Sequence, residues 1–331
     1  MRRRSASKRG WSWRSQAFRG LVWQALAVLL VGLAAWYLGH NTLENMRARG
    51  IQSGFDFLVQ PAGFDIGESL IPYDALDPYW KAFAVGVLNT LRVALTGIVL
   101  ATVLGTLLGI GRFAHNALVR GLCHAYTEVF RNVPVLLQLL FWYLVFTEIL
   151  PAVNEPVSVA GLFFLSKGGF AFPWWTDGAW SVPTMGAFAL EGGVTVTPEF
   201  MAVLLGLVLY TSAFIGEVVR AGIASVPKGQ IEAASSLGLP RGLQIRKVIL
   251  PQALRVIIPP LTNQYLNITK NSSLAVAIGY PDVVSIANTS LNNTGRAVEC
   301  ITLIMAVYLT TSLSTAAFMN WYNRRVAIRE R

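Results

Sequence analysis

Charge is what this 331-residue sequence has least of: Asp, Glu, Lys and Arg make up 13% of it, against 54% hydrophobic residues. Soluble domains carry about 25% charged residues, so the composition excludes an ordinary soluble globule and points to a membrane. Cysteine and histidine are each confined to a few positions, Cys123 and Cys300 and His40, His115 and His124. Such numbers exclude a disulfide scaffold, leave no set of zinc ligands and offer no Ser, His and acid grouping at a catalytic spacing. No metal site and no enzymatic activity are expected. A G-x-x-x-x-G-K-[ST] phosphate loop is also missing, so the chain has no nucleotide engine of that kind. What remains is a basic surplus of +10, from 27 Lys and Arg against 17 Asp and Glu. Its meaning depends on where the charges sit.

A bilayer core takes about 20 mainly apolar residues per helix. Six runs qualify: 17–38, 82–111, 126–150, 200–223, 253–269 and 297–321. The first follows a basic start like that of a secretory signal, but it exceeds the usual apolar length and lacks a small-residue cleavage site, so it reads as a retained helix. With the N-terminus inside, the inner segments hold seven Lys and Arg in 1–20, two in 112–121, six in 220–255 and four in 320–331. The outer segments 39–81, 151–199 and 271–296 hold five together. By the positive-inside rule both termini are cytoplasmic. The surplus is therefore topological, and no nucleic-acid partner is expected.

Between Pro151 and Pro198 lies a long outer insertion, broken by Pro173 and Pro183 and rich in Phe163, Phe164, Phe170, Phe172, Trp174, Trp175 and Trp180. Aromatics at this density suit the headgroup belt. Its apolar piece 157–165 is too short to span, and reads as interfacial or partner-covering, with a re-entrant hairpin as the alternative. In the second span, Gly105-Thr-Leu-Leu-Gly109 matches the small-xxx-small pattern of close helix packing, for which an intramolecular contact is the simpler reading. Glu128 with Arg131 and Glu217 with Arg220 stand three residues apart, a spacing at which each pair neutralises itself on one helix face.

The fifth span differs in kind. Pro259-Pro260 is expected to break its hydrogen-bond ladder, and a polar series follows. Broken, polar backbone at membrane depth is tolerated where it is buried in protein or lines a water-filled cavity. Asn263, Gln264, Asn267, Lys270 and Ser272 are the candidate substrate path, with Lys270 as a partner for a carboxylate. The competing reading is that these groups only bind neighbouring helices, and that Lys270 snorkels.

Between the fourth and fifth spans, Gln230 to Leu237 is compatible with a short helix, Gly238 suits the left-handed position after its end, and Pro240 stops it and opens the next helix. Ala233 and Ala234 leave one face able to lie closely against another protein, with Ile231 and Leu237 as apolar anchors.

Glu232-Ala233-Ala234, Gly238 four residues beyond, then Val248, Leu250 and Pro251 resemble the EAA loop of ABC importer permeases, with Val in place of the usual Ile as the one departure. The words beginning at Phe130, Glu217 and Lys270 are similar to the polar amino-acid uptake permeases of the histidine, glutamate, glutamine and arginine type. The likeness covers residues 82 to 322, and the extra first 81 residues and the insertion 151–199 are similar to the larger general L-amino-acid permeases. The resemblance implies an all-α, polytopic membrane protein of about six helices with the type I ABC importer permease fold, in a bacterial inner membrane. It implies a domain at 82–322 carrying the EAA loop at 224–251, after an N-terminal tail, helix and outer segment at 1–81 and before a basic tail at 323–331. It assigns coupling to Glu232, Ala233, Ala234, Gly238, Leu250 and Pro251. The partners it implies are a dimeric cytoplasmic ATPase that binds ATP and Mg, a second permease (a paralogue by likeness to the general systems), a periplasmic amino-acid-binding protein and the amino acid. The rival reading is a secondary transporter or channel for small polar solutes, which would share the polar fifth span but would not need the capped loop helix.

Overall fold

The computed structural model describes residues 15–48, 50, 53–176, 178–186 and 190–326. Most of the basic N-terminal tail, from Arg2 to Arg14, and the C-terminal Arg329 and Arg331 lie outside them. The chain divides into two units at Gly54. The first contains helix α1 (Gln16–Ala48), whose 33 residues at about 1.5 Å each exceed the roughly 30 Å of a hydrocarbon core. This boundary is earlier than the one drawn at residue 81 from the sequence. The reason is packing within the second unit: Phe57 and Ala62 are buried with Tyr79, Phe83, Val283, Ile286 and Cys300 in one apolar cluster.

In the second unit, helices α2 (Tyr79–Gly111) and α5 (Pro198–Ala224) form the central pair. They run parallel, because Gly97 faces Leu204, Gly105 faces Ile215 and Gly109 faces Val219 in order. A Cβ on Gly105 would lie 2.6 Å from the Ile215 Cβ and 2.8 Å from the Ser212 carbonyl oxygen, and one on Gly109 would lie 2.7 Å from the Gly216 carbonyl oxygen. The glycine pair thus lets α2 meet α5 backbone to backbone within one subunit. Helix α8 (Leu250–Asn271) returns antiparallel to both: Gly222 meets Ile257 at one end, and Gly97 meets Ile268 towards the other.

Among the described residues four helices are long and apolar enough to cross a membrane, and two bent pairs bring the total to six if each counts as one span. The third sequence run, 126–150, is one of those pairs. Helix α3 (Ala117–Asn132) stops before Pro134, and α4 (Val135–Leu144), extended by a π-helical turn at Val145–Ile149, leaves at 102°. The residue before a proline is driven out of the α region, and Val133 adopts an extended ψ of 126°.

The fifth run corrects the expected proline break. Helix α8 passes through Pro259 and Pro260 without interruption. Proline inside membrane helices is tolerated where the freed groups, here the Arg255 and Val256 carbonyls, find other partners. The departure from α geometry comes later, in a 3-10 stretch at Ser272–Ile278 that ends on Gly279 at φ 79°. A further helix follows at Val283–Thr294. Together with α6 (Lys228–Ser236) and α7 (Arg241–Gln244) before α8, it is numbered in chain order as α9, ahead of α10 (Ala297–Val326). The outer segment 271–296 is thus not a loop but a packed 3-10 turn and helix, with Tyr280, Asp282, Val283, Ile286 and Ala287 buried.

The insertion between α4 and α5 is β-structure. An antiparallel sheet is ordered β1 (Val157–Val159), β2 (Phe163–Ser166), β3 (Gly169–Phe172) and β8 (Val194–Val196). Two hairpins complete it, β4 (Trp174–Thr176) with β5 (Ala179–Ser181), and β6 (Thr184–Met185) with β7 (Leu190–Glu191). Residues 157–165 form the β1–β2 hairpin. Phe163 of β2 stacks on Phe170 of β3, a cross-strand aromatic contact of the kind that stabilises small sheets, and Phe170 stacks on Phe172 along the same strand.

Candidate functional site: a capped loop helix and a polar stripe

The loop between α5 and α8 carries the first group of candidate residues. Helix α6 ends in two reverse bonds, Leu239 N–H to the Ala234 carbonyl at 3.2 Å and Gly238 N–H to the Ser235 carbonyl at 2.9 Å, with Gly238 at φ 70°. This is the Schellman arrangement, in which a left-handed residue closes the last turn. Glycine stands there because any side chain at that φ is strained. Ala234 is buried, and Ile231 packs on the bundle core. Glu232, Ala233, Ser235 and Ser236 are exposed, and Leu237 is 80% exposed.

The sequence did not single out Gln244, yet its side-chain amide donates to the Ser235 hydroxyl at 3.2 Å and to the Leu239 carbonyl at 2.7 Å, bracing α6 against α7. Its signal was only its place after Pro240. Val248 is half-buried and lies in a π-helical turn at Ile245–Ile249 that leads into Leu250, exposed, and Pro251, half-buried, at the start of α8.

The second group lies on α8. Val256, Pro259, Asn263, Asn267 and Lys270 are exposed at intervals of three or four residues, which places them on one face of the uninterrupted helix. Gln264 points elsewhere, into a cavity of about 220 Å³ shared with Arg131, Phe214, Glu217 and Pro260. Ser272 leaves the group altogether: it is buried, and its hydroxyl donates to the Thr269 carbonyl at 2.7 Å. Its polarity alone groups it with the others in the sequence, and polarity does not report burial.

Charged groups close the two ends of the central pair. At one end Glu217 accepts from Arg220 Nε at 3.0 Å and from Arg112 Nη1 at 3.0 Å, tying α5 to the end of α2. The expected Glu217 and Arg220 pair is present. The expected Glu128 and Arg131 pair is not: Glu128 lies 4.0 Å from His124, and the Arg131 guanidinium stands 5.3 Å over the Phe214 ring. Stacking on an aromatic face suits a planar, weakly hydrated guanidinium.

At the opposite end, residues 55–78 form a strap across the bundle. Glu68 pairs with Arg92 of α2 and accepts from the Thr197 hydroxyl at 2.5 Å, while Thr197 caps α5 through Phe200 N–H at 3.1 Å. Arg92 also lies 4.2 Å over the Phe200 ring. The buried Asn89 amide donates to the Glu68 carbonyl at 2.8 Å and to the Pro281 carbonyl at 2.9 Å, joining strap, α2 and the turn before α9. Asp56 pairs with Arg296 at 3.1 Å. Within the strap, burial and then the charges of Asp77 and Asp65 push the Tyr73 phenol up to about 12. The Lys81 ammonium, bonded at 2.6 Å, holds the Asp77 carboxyl below the usual range. None of these long-range pairs is visible as a motif, because their partners lie far apart in sequence.

Residues 97–328 match the family described as the binding-protein-dependent transport system inner membrane component. The chain is also 44% identical, over 99% of its length and 99% of the relative's, to the putative amino-acid ABC transporter permease protein YhdX of Escherichia coli (strain K12). The chain belongs to the amino-acid ABC transporter permeases. It is 41% identical to the general L-amino acid transport system permease protein AapQ of Rhizobium johnstonii, over 97% of this chain and 96% of that one. Among solved structures, the crystal structure of an amino acid ABC transporter with histidines superposes with a TM-score of 0.56 at 25% identity, over 75% of this chain and 95% of that one. Inward-facing MetNI methionine transporter shares the fold, with a TM-score of 0.52 at 18% identity over 75% of this chain and 97% of that one. This permease therefore has the type I importer fold, as a multi-pass protein of the bacterial inner membrane, and it is a transport component.

Proposed function

We propose that this permease is the membrane subunit of an ATP-driven importer for amino acids, and that α6 is the element through which a separate ATPase moves it. The observation that carries the reading is the exposed, Schellman-capped α6 with Leu237 uncovered at its tip. A helix that leaves a large apolar side chain in water and an unpaired Glu232 beside it suits a protein surface groove. Glu232, Ala233, Ala234 and Gly238 shape the peg, and Leu250 and Pro251 join it to α8. Motion of the peg is thereby transmitted along the helix that bears the polar stripe.

Asn263, Asn267 and Lys270 on that stripe are the proposed lining of the substrate path. A zwitterion needs both donors and acceptors, which amides supply, and Lys270 offers a charge for the carboxylate. Gln264 takes part from its own cavity beside Glu217. Ser272, being buried, acts only through the turn at the end of α8. The name of the general L-amino-acid relative supports a broad range of amino acids, and the second permease is proposed to be a paralogue of this one. A periplasmic amino-acid-binding protein delivers the substrate, and ATP and Mg are bound by the ATPase, since this chain has no phosphate loop.

Orientation follows the charge distribution. The strap and the β insertion lie at one end of the central pair, and the loop 224–251 with Arg112 and Glu217 at the other. The basic end is cytoplasmic, so both termini are cytoplasmic. Co-purification tests the coupling assignment: the wild-type permease is expected to bring down its ATPase, and Glu232→Lys to lose it while staying in the membrane. Full ATPase recovery with Glu232→Lys would remove α6 from the interface.

A further inference from the structure

The side of the bundle away from the strap holds a second polar feature that neither coupling nor transport uses. Arg112, Arg120, His124 and Arg220 converge on one cavity of about 400 Å³, completed by Phe113, Ala117 and Gly121. Its charge is unbalanced. Arg112 and Arg220 share the single carboxylate of Glu217. Arg120 forms no ion pair and gives one bond, to the Ala114 carbonyl at 3.2 Å. His124 has only Glu128, at 4.0 Å. Two guanidinium groups drawn to one carboxylate, with a third unpaired beside them, leave room for an anion with several acceptor oxygens.

Helix α3, which supplies half of this cavity, shows where that anion comes from. It has three distinct faces. Tyr126 and Thr127 turn inward, the tyrosine hydroxyl bonding Ser212 Oγ at 2.9 Å. Arg120, Gly121, His124 and Glu128 form the polar face. Leu118, Leu122 and Val129 form the third, and are 69%, 62% and 57% exposed. An amphipathic helix with an uncovered leucine stripe next to a basic stripe is built to lie at a membrane surface. The cavity lies on the neighbouring face of the same helix, lined by Ala117, Arg120, Gly121 and His124. Basic pockets between helices on the cytoplasmic side hold acidic lipid headgroups.

We propose that the cavity between α2, α3 and α5 binds the phosphodiester headgroup of an anionic phospholipid, with Arg120, Arg220 and Arg112 as its cationic wall and His124 at its rim. The acyl chains run along Leu118 and Leu122. Gly121 is the aperture: a Cβ there would meet nothing within 4 Å, so the space before it is open. The site also adjoins the coupling loop, because the Arg241 guanidinium of α7 contacts His115 at 3.3 Å in the turn between α2 and α3.

Native mass spectrometry of the full-length chain in detergent, titrated with phosphatidylglycerol, phosphatidylcholine or inorganic phosphate, tests the site. Phosphatidylglycerol is expected to bind more tightly than phosphatidylcholine. Arg120→Ala should weaken the anionic lipid about fivefold, the effect of one surface cation. Gly121→Glu, which puts a carboxylate into the aperture, should weaken it further. Both residues are exposed, so the variants should melt at the wild-type temperature and bind phosphatidylcholine unchanged. Equal binding of the two lipids by the wild type, or full anionic-lipid binding by both variants, would overturn the proposal. Displacement of phosphatidylglycerol by equimolar inorganic phosphate would reassign the site to free phosphate and overturn the lipid. Loss of the lipid on adding the ATPase would show instead that an acidic protein segment owns the cavity.

Discussion

Gly238 is required by its backbone, since φ 70° closes the helix that the ATPase is proposed to grip. A β-branched residue at left-handed φ costs on the order of 1–2 kcal/mol and would open the last turn of α6. Gly238→Val is expected to reach the membrane at normal levels yet to lose most uptake and to recruit less ATPase; normal uptake with normal recruitment would sink the docking role. On α8, Asn267→Leu tests the stripe. Transport should fall, or the set of competing amino acids should change, with abundance and ATPase binding unaltered. If abundance falls in step with uptake, the amide is a packing group. At this scale the sequence was informative for the glycine after α6, the Pro240 stop and the Glu217 and Arg220 pair, which are set by neighbours within a few residues, but not for Glu128 and Arg131, because the Phe214 ring of another helix holds the Arg131 guanidinium. It was silent on Glu68, Arg92 and Thr197, whose contact depends on how a strap crosses two helices.

Helices α2 and α5 meet backbone to backbone at Gly105 and Gly109. Over-packing a well-filled contact costs about 1–3 kcal/mol, and at Gly105 the atoms met include the Ser212 carbonyl oxygen, which cannot move without its helix. Gly105→Leu is therefore expected to lower the thermal midpoint and the membrane level of the permease, whereas the same change at Gly121, where the space is open, should do neither. At the other end, Glu68→Gln leaves Arg92 without its carboxylate. Hydrogen bonds to charged groups contribute roughly 1.5–3 kcal/mol, so the strap should become accessible to protease in Glu68→Gln and stay protected in the wild type. Element reading from sequence succeeded for the long apolar helices and failed at two proline sites in opposite senses. Pro134 bends the chain by 102° where a continuous span was expected, and Pro259-Pro260 leaves α8 intact where a break was expected. Proline removes a donor in both places, but only at Pro134 is the preceding residue free to turn away from helical geometry, because α8 is held along its length by α2 and α5. The β insertion was legible only as an aromatic, proline-broken stretch, its strands being two to four residues long.

For the whole molecule, the proposed topology has residues 151–199 outside and 224–251 inside. Cysteines at Ser158 and Ser225 should react with an impermeant reagent from opposite sides of the membrane, and labelling of both from the periplasm would reject this topology. The central claim is that transport is driven by ATP through α6. Uptake of a labelled amino acid into proteoliposomes tests it most directly, with the permeases and ATPase reconstituted together and the binding protein supplied with substrate. The account expects uptake only when ATP reaches the ATPase, insensitivity to ionophores that collapse ion gradients, and loss of that uptake in Glu232→Lys. Uptake without ATP that vanishes when an ion gradient is collapsed would contradict it, and would make the chain a secondary transporter.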